Sequence, residues 1–255
     1  MSVSRLQKNI DSVSDQSSLK TGDKPVSTPL ILSDSKGKYL KRVVNRNSNI
    51  ERSIVWQCKG GATSSERLDW LRSHSTDLIE KYRSVTLYVW VGTCDFTVKD
   101  STHHGKGKHS RKSRKFISIR DPDTAFKKFK HNLNSLKKHC ARKHIQVTFL
   151  HVPYYSIEAY NAQKGHENPV VFKNDDKILT DLIKRANSFI NDLNCEVNSY
   201  SPKFNEDLVR SRKKRGSSQR YSINLKLLHD GLHPCETLAR SWLASLTRKI
   251  TKDCT

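Results

Sequence analysis

Val85-Thr86-Leu87-Tyr88-Val89-Trp90-Val91 is apolar at nearly every position, the pattern of a central strand covered on both faces. Working outward, Ser64 to Tyr82 reads as an amphipathic helix. Ser64 or Ser65 can cap it, Glu66 and Asp69 lie in its first turns, and Leu68, Leu71, Leu78 and Ile79 share one face. Before it, Ser53–Cys58 reads as a strand ending in Gly60-Gly61, and residues 35–47 carry Tyr39, Leu40, Val43 and Val44 at helical spacing. Pro29-Leu30-Ile31-Leu32 reads as a buried strand. After the central strand come a Lys-rich helix over Asp123–His144, a strand over Ile145–Leu150 and a helix over Asp175–Leu193. A short edge strand is expected near Cys195-Glu196-Val197, and Cys235–Ile250 closes the chain as a helix. Strand and helix alternate about five times, which implies βαβ crossovers and a five-stranded, mostly parallel sheet in one α/β domain over residues 29–255. Residues 1–28 are polar, show no period and read as a disordered tail.

The 255 residues carry 47 Lys and Arg against 25 Asp and Glu, a formal net charge of +22. A wholly disordered chain would not retain 4 Trp, 8 Tyr and 8 Phe, so a compact core with basic extensions is expected. No stretch approaches the roughly 18 apolar residues of a membrane span, and the first residues lack a signal peptide's apolar core. Cys58, Cys94, Cys140, Cys195, Cys235 and Cys254 form no CxxC pair. The expectation is reduced thiols in an intracellular protein, cytoplasmic or nuclear, with neither metal nor cofactor.

Four segments sit where a parallel sheet places its ligand crevice, beyond the carboxyl ends of the strands. Ser33-Asp34-Ser35 follows the first strand, Gly60-Gly61-Ala62-Thr63 the second and Gly92-Thr93-Cys94-Asp95 the third. Asp230-Gly231-Leu232-His233-Pro234 precedes the last helix. Taken alone, Ser35 also suits a simple helix cap, Gly61 a turn, and Cys94 a small buried apolar group.

In order and placement these blocks resemble the SGNH, or GDSL-type, hydrolase superfamily over roughly residues 29–250. The resemblance implies a three-layer α/β/α flavodoxin-like domain and a serine esterase acting on a small-molecule or carbohydrate ester without a cofactor. It makes Ser35 the nucleophile, His233 the general base and Asp230 the group that orients the imidazole. Gly61 and Cys94 fall on oxyanion-hole positions, with Asp34, Gly92 and Asp95 in support.

Two residues depart from the pattern. Ser33 stands where the family has Gly before Asp-Ser, a small change. Cys94 stands where the family places an Asn, whose amide donates a hydrogen bond far better than a thiol. A slow esterase, an esterase with a rebuilt oxyanion hole and a non-catalytic domain all fit such a sequence.

Two basic segments complete the reading, at 98–115 and 205–220. The first holds Lys106, Lys108, Arg111, Lys112, Arg114 and Lys115. The second holds Arg212, Lys213, Lys214 and Arg215. If they border the crevice they would attract nucleic acid or another polyanion. They equally suit two solvated loops, or for residues 212–215 a nuclear localisation patch. His103, His104 and His109, in a Lys-rich segment, are a poor metal-ligand set. SGNH-like esterase domains also accompany some non-LTR retrotransposon proteins, a setting that suits a chain this basic.

Overall fold

The computed structural model describes residues 3–16, 25–100, 116–212 and 220–255. In chain order the elements are α1 (Val3–Gln16), β1 (Thr28–Ser33), α2 (Ser35–Arg42), α3 (Asn49–Ser53), β2 (Val55–Cys58), α4 (Ser64–Tyr82), β3 (Val85–Trp90) and α5 (Thr93–Phe96). Then follow β4 (Thr97–Asp100), β5 (Phe116–Ile119), α6 (Pro122–Arg142), β6 (Gln146–Phe149), α7 (Ile157–Gln163), α8 (Lys173–Glu196), β7 (Val209–Arg212), β8 (Arg220–Ile223) and α9 (Glu236–Cys254).

The central sheet runs in the order β2-β1-β3-β6, all parallel. Every residue of β3 is buried, as its continuous apolar run requires. α2 and α9 pack on one side with α1 against α9; α4 and α6 pack together on the other, and α8 lies against α6 and β6. The fold is therefore the three-layer α/β/α arrangement expected. Register matters most for function. Ser33 pairs with both Cys58 and Trp90, so β1, β2 and β3 end level and release their following loops at one place.

Among the described residues the central sheet has four strands, not the expected five. Residues 195 and 196 belong to α8, because Asn194 finishes the β6 edge with its side chain. Its amide donates to Phe149 O at 2.8 Å and accepts from Phe149 N at 2.9 Å. Asn187, two turns earlier, clamps Val152 N and O in the same way at 2.8 and 2.9 Å. Two carboxamides on one helix face thus satisfy backbone groups that an edge strand would otherwise pair.

The expected tail contains a helix. Val3, Leu6, Ile10 and Val13 repeat at helical spacing, a stripe masked by the polar residues between them. Leu6 is buried, and Asn9 Nδ2 donates to Ser241 Oγ at 2.7 Å and Ser245 Oγ at 3.1 Å on α9. Thr63, not Ser64 or Ser65, caps α4, in a reciprocal box with Glu66. The two basic segments are partly strand: β4 pairs antiparallel with β5, and β7 with β8. Residues 101–115 and 213–219 lie outside the described residues. No helix among the described residues is long and apolar enough to cross a membrane.

Candidate active site

β1 delivers its last buried residue, Ser33, into a turn that starts α2 at Ser35. Asp34 caps this helix, its Oδ1 accepting from Lys36 N at 2.9 Å, and its own N–H donates to Trp90 O at 3.2 Å. Asp34 is fully buried, and its counter-charge is the equally buried Lys36. The Lys36 ammonium lies 2.5 Å from Asp34 Oδ2 and 2.6 Å from Thr93 Oγ1. The Ser-for-Gly change at Ser33 is matched one turn later. Ser33 Oγ accepts from Gly37 N at 3.1 Å, and a Cβ at Gly37 would stand 2.8 Å from Ser33 Cβ and 2.6 Å from Cys58 Sγ.

The last segment forms a tight turn closed by a bridge between Leu228 and Pro234. Gly231 sits at φ +77°, and a Cβ there would lie 2.7 Å from both Ala159 Cβ and Tyr160 N. Only glycine lets this turn lie against α7, where Ser156 N also donates to Gly231 O at 2.9 Å. The turn aims His233 across the chain at Ser35, a partner 198 residues away. Their Nε2 and Oγ are 2.9 Å apart. His233 Nδ1 lies 2.6 Å from Asp230 Oδ2. Asp230 also accepts from His233 N at 2.7 Å and Leu232 N at 3.0 Å. Burial would raise the Asp230 pKa, but these hydrogen bonds and the imidazole opposite outweigh it and hold the carboxyl down at about 2. An ionised Asp230 can only accept, so it fixes the proton on Nδ1 and leaves Nε2 free to accept from Ser35. The Tyr39 ring stacks on His233 with centroids 4.5 Å apart, and Arg42 lies over Tyr39 at 5.0 Å.

On the other side of Ser35 lie the two glycines after β2. A Cβ at Gly60 would come 4.0 Å from Ser35 Cβ, and Gly61 has φ +80°. Gly92 has φ +121°, and a Cβ there would strike Val152 Cγ2 at 2.5 Å. Cys94 is half-buried; burial, and then the charge of Asp34, push its thiol up to about 11, so it is neither a thiolate nor a strong donor near neutral pH. Asp95 is engaged by the start of α4. It accepts from Ser64 N at 3.0 Å and Ser64 Oγ at 2.6 Å, tying α5 to the start of α4, and burial raises its pKa.

The structure thus brings Ser35, His233 and Asp230 together at the level ends of β1–β3, with Gly61 in the turn after β2 and Cys94 in α5 after β3. It gives Asp34, Gly92 and Asp95 structural tasks in the same segments. Lys106, Lys108, Arg111, Lys112, Arg114, Lys115, Lys213, Lys214 and Arg215 lie outside the described residues. Arg212 ends β7, paired with Arg220. His229, Asp230 and His233 offer ligand atoms within 4.8 Å of one another. Both ring nitrogens of His233 are already engaged, so a metal would have to displace Asp230 or Ser35.

Sequence reasoning missed Lys36 and Tyr39. Tyr39 had a readable signal: it stands four residues after Ser35, on the same face of α2. Lys36 had none, because a lysine in SKGKYLKR reads as solvated surface.

No protein-family model matches the chain, and no curated protein matches it in sequence. Solved structures do match its fold. A GDSL-like lipase from Bacteroides thetaiotaomicron superposes with a TM-score of 0.55 at 13% identity, over 98% of this chain and 99% of the lipase. A lipase/acylhydrolase from Enterococcus faecalis gives 0.53 at 14% identity, over 90% of this chain and 97% of its own. The chain has the SGNH, or GDSL-type, hydrolase fold.

Proposed function

We propose that this protein is a serine hydrolase that cleaves an acyl ester through a covalent acyl-enzyme at Ser35. The observation that carries the reading is the unbroken chain Ser35 Oγ–His233 Nε2–His233 Nδ1–Asp230, at 2.9 and 2.6 Å. In this reading Ser35 Oγ attacks the ester carbon while its proton passes to His233 Nε2. The imidazolium so formed is stabilised by Asp230, 2.6 Å from its other nitrogen. The carbonyl electron pair moves onto oxygen, facing the N–H of Ser35 at the start of α2 and that of Gly61. Collapse expels the alcohol with the proton from His233. Water then attacks the acyl-Ser35 ester, His233 taking its proton and returning it to Ser35 Oγ as the acyl–oxygen bond breaks and the acid leaves.

A fluorophosphonate probe tests this directly, because it reports an activated serine whatever the natural substrate. The wild-type protein should be labelled on Ser35 and should hydrolyse 4-nitrophenyl acetate; Ser35→Ala should lose both. Absence of labelling in the folded wild-type protein refutes the reading.

A further inference from the structure

The SGNH pattern that the sequence resembles has an Asn where this chain has Cys94, whose thiol is a poor substitute for the amide donor; another group of this chain stands nearby. Lys99 lies on β4, which leaves α5 directly after Cys94 and Asp95. Its Nζ comes within 3.6 Å of the point where a Cβ on Gly61 would sit. Its positive charge also acts on the Cys94 thiol, opposing the rise that burial causes. One ammonium group therefore stands against Gly61 and close enough for its charge to act on Cys94 at the start of α5.

The backbone of Lys99 is built into the fold, and its side chain is exposed. Its backbone pairs with Ile117 on β5. Asn161, fully buried on α7, clamps Ile117 from both sides, accepting from its N at 2.9 Å and donating to its O at 2.7 Å. The same helix carries Ala159 and Tyr160, against which the Gly231 turn is pressed. α7 thus fixes the strand bearing Lys99 and the turn bearing His233 in a single frame.

We propose that Lys99 completes the oxyanion hole, its ammonium donating a hydrogen bond to the oxygen of the tetrahedral intermediate in place of the absent amide. The inference rests on the serine-hydrolase reading above. No proton leaves Lys99: the oxygen takes the carbonyl electron pair as Ser35 attacks, and the charge falls back when the alcohol departs. An ammonium also suits the defect electrostatically, since a charged donor is stronger than a thiol or a neutral amide. A glycine at position 61 leaves room for the Lys99 head group to swing onto the oxygen.

The test uses 4-nitrophenyl acetate, an uncharged ester, and mono-4-nitrophenyl succinate, an anionic one, with thermal melting to confirm folding. Lys99→Met should lower kcat on both esters by about 10²–10³-fold with little change in KM. Lys99→Arg should keep much of the rate. Cys94→Asn should add little to the wild-type protein but restore about tenfold or more to Lys99→Met, because the amide then supplies the missing donor. An unchanged kcat in folded Lys99→Met overturns the proposal. So does a loss confined to KM on the anionic ester, which would make Lys99 a reader of substrate charge. Fluorophosphonate labelling separates the two levels. If wild-type Ser35 is not labelled, the hydrolase reading fails and this inference with it. If it is labelled and Lys99→Met reacts at the same rate, only the role of Lys99 fails.

Discussion

Replacing Asp230 with Asn changes one atom and separates catalysis from folding. In the native protein Asp230 accepts three hydrogen bonds, two of them from the backbone N–H groups of Leu232 and His233. An Asn can keep the two backbone bonds through its oxygen. Its NH₂ then faces His233 Nδ1, which must become the acceptor; the ring proton moves to Nε2, and Nε2 can no longer receive a proton from Ser35. The triad precedent for this change is a loss of about 10⁴ in kcat, and fluorophosphonate labelling should slow comparably. The stability cost is smaller. Lowering a carboxyl from 3.8 to about 2 corresponds to about 2 kcal/mol. Because the folded-state pKa is the depressed one, this contribution is fully present above pH 4, the unfolded value, and is lost as pH falls through about 2. At pH 7 the variant should melt several degrees lower, at about 2–4 °C per kcal/mol for a chain of this size. The gap should narrow as pH falls from 4 towards 2, where the wild-type carboxyl is itself half protonated. An Asp230→Asn protein that labels as fast as wild type would refute the proton path. A melting gap that persists unchanged into acid would refute the electrostatic account.

Three further substitutions test the frame around the site by urea unfolding. Gly92→Ala should destabilise by about 2 kcal/mol or more, from the strained φ of +121° together with the 2.5 Å approach to Val152; a neutral result would mean the turn relaxes freely. Asn194→Ala strands Phe149 N and O at the sheet edge and should cost about 2–4 kcal/mol, whereas a cost near zero would show that residues 199–201 can pair with β6 instead. Lys36→Met leaves the Asp34 carboxylate buried without a counter-charge and should cost about 3–5 kcal/mol; adding Asp34→Asn should recover much of that, and no recovery would mean Lys36 acts through packing alone.

The strands and helices that carry the site were legible in the sequence because their signals are local. An apolar run such as Val85–Val91 can only be satisfied by cover on both faces, and the apolar period of Ser64–Tyr82 only by a helix. Once alternation implies a parallel sheet, the segments after β1, β2 and β3 must lie at one end, so those holding Ser35, Gly61 and Cys94 could be located from position, while their roles came from the SGNH resemblance. What failed had a masked local signal or none. The N-terminal helix is hidden by its polar content and held through Leu6 and Asn9 to α9, more than two hundred residues away. The fifth strand was expected from the fivefold alternation of strand and helix and the segment Cys195-Glu196-Val197. Nothing in the sequence reveals that Asn187 and Asn194 satisfy it from a helix, since a side-chain amide mimics a strand partner only when packing brings it to 2.8 Å.

The site divides in the same way. By itself the sequence determined which residue types are available and at which strand ends. Only the tertiary structure decided that a 198-residue separation closes to a 2.9 Å contact, that Lys36 lies buried against Asp34, and that Lys99 stands over Gly61. The physical reason is that hydrogen bonds and charge act over a few ångströms of space. Distance along the chain says nothing of those ångströms until the register of β1, β2 and β3 and the packing of α7 have fixed them.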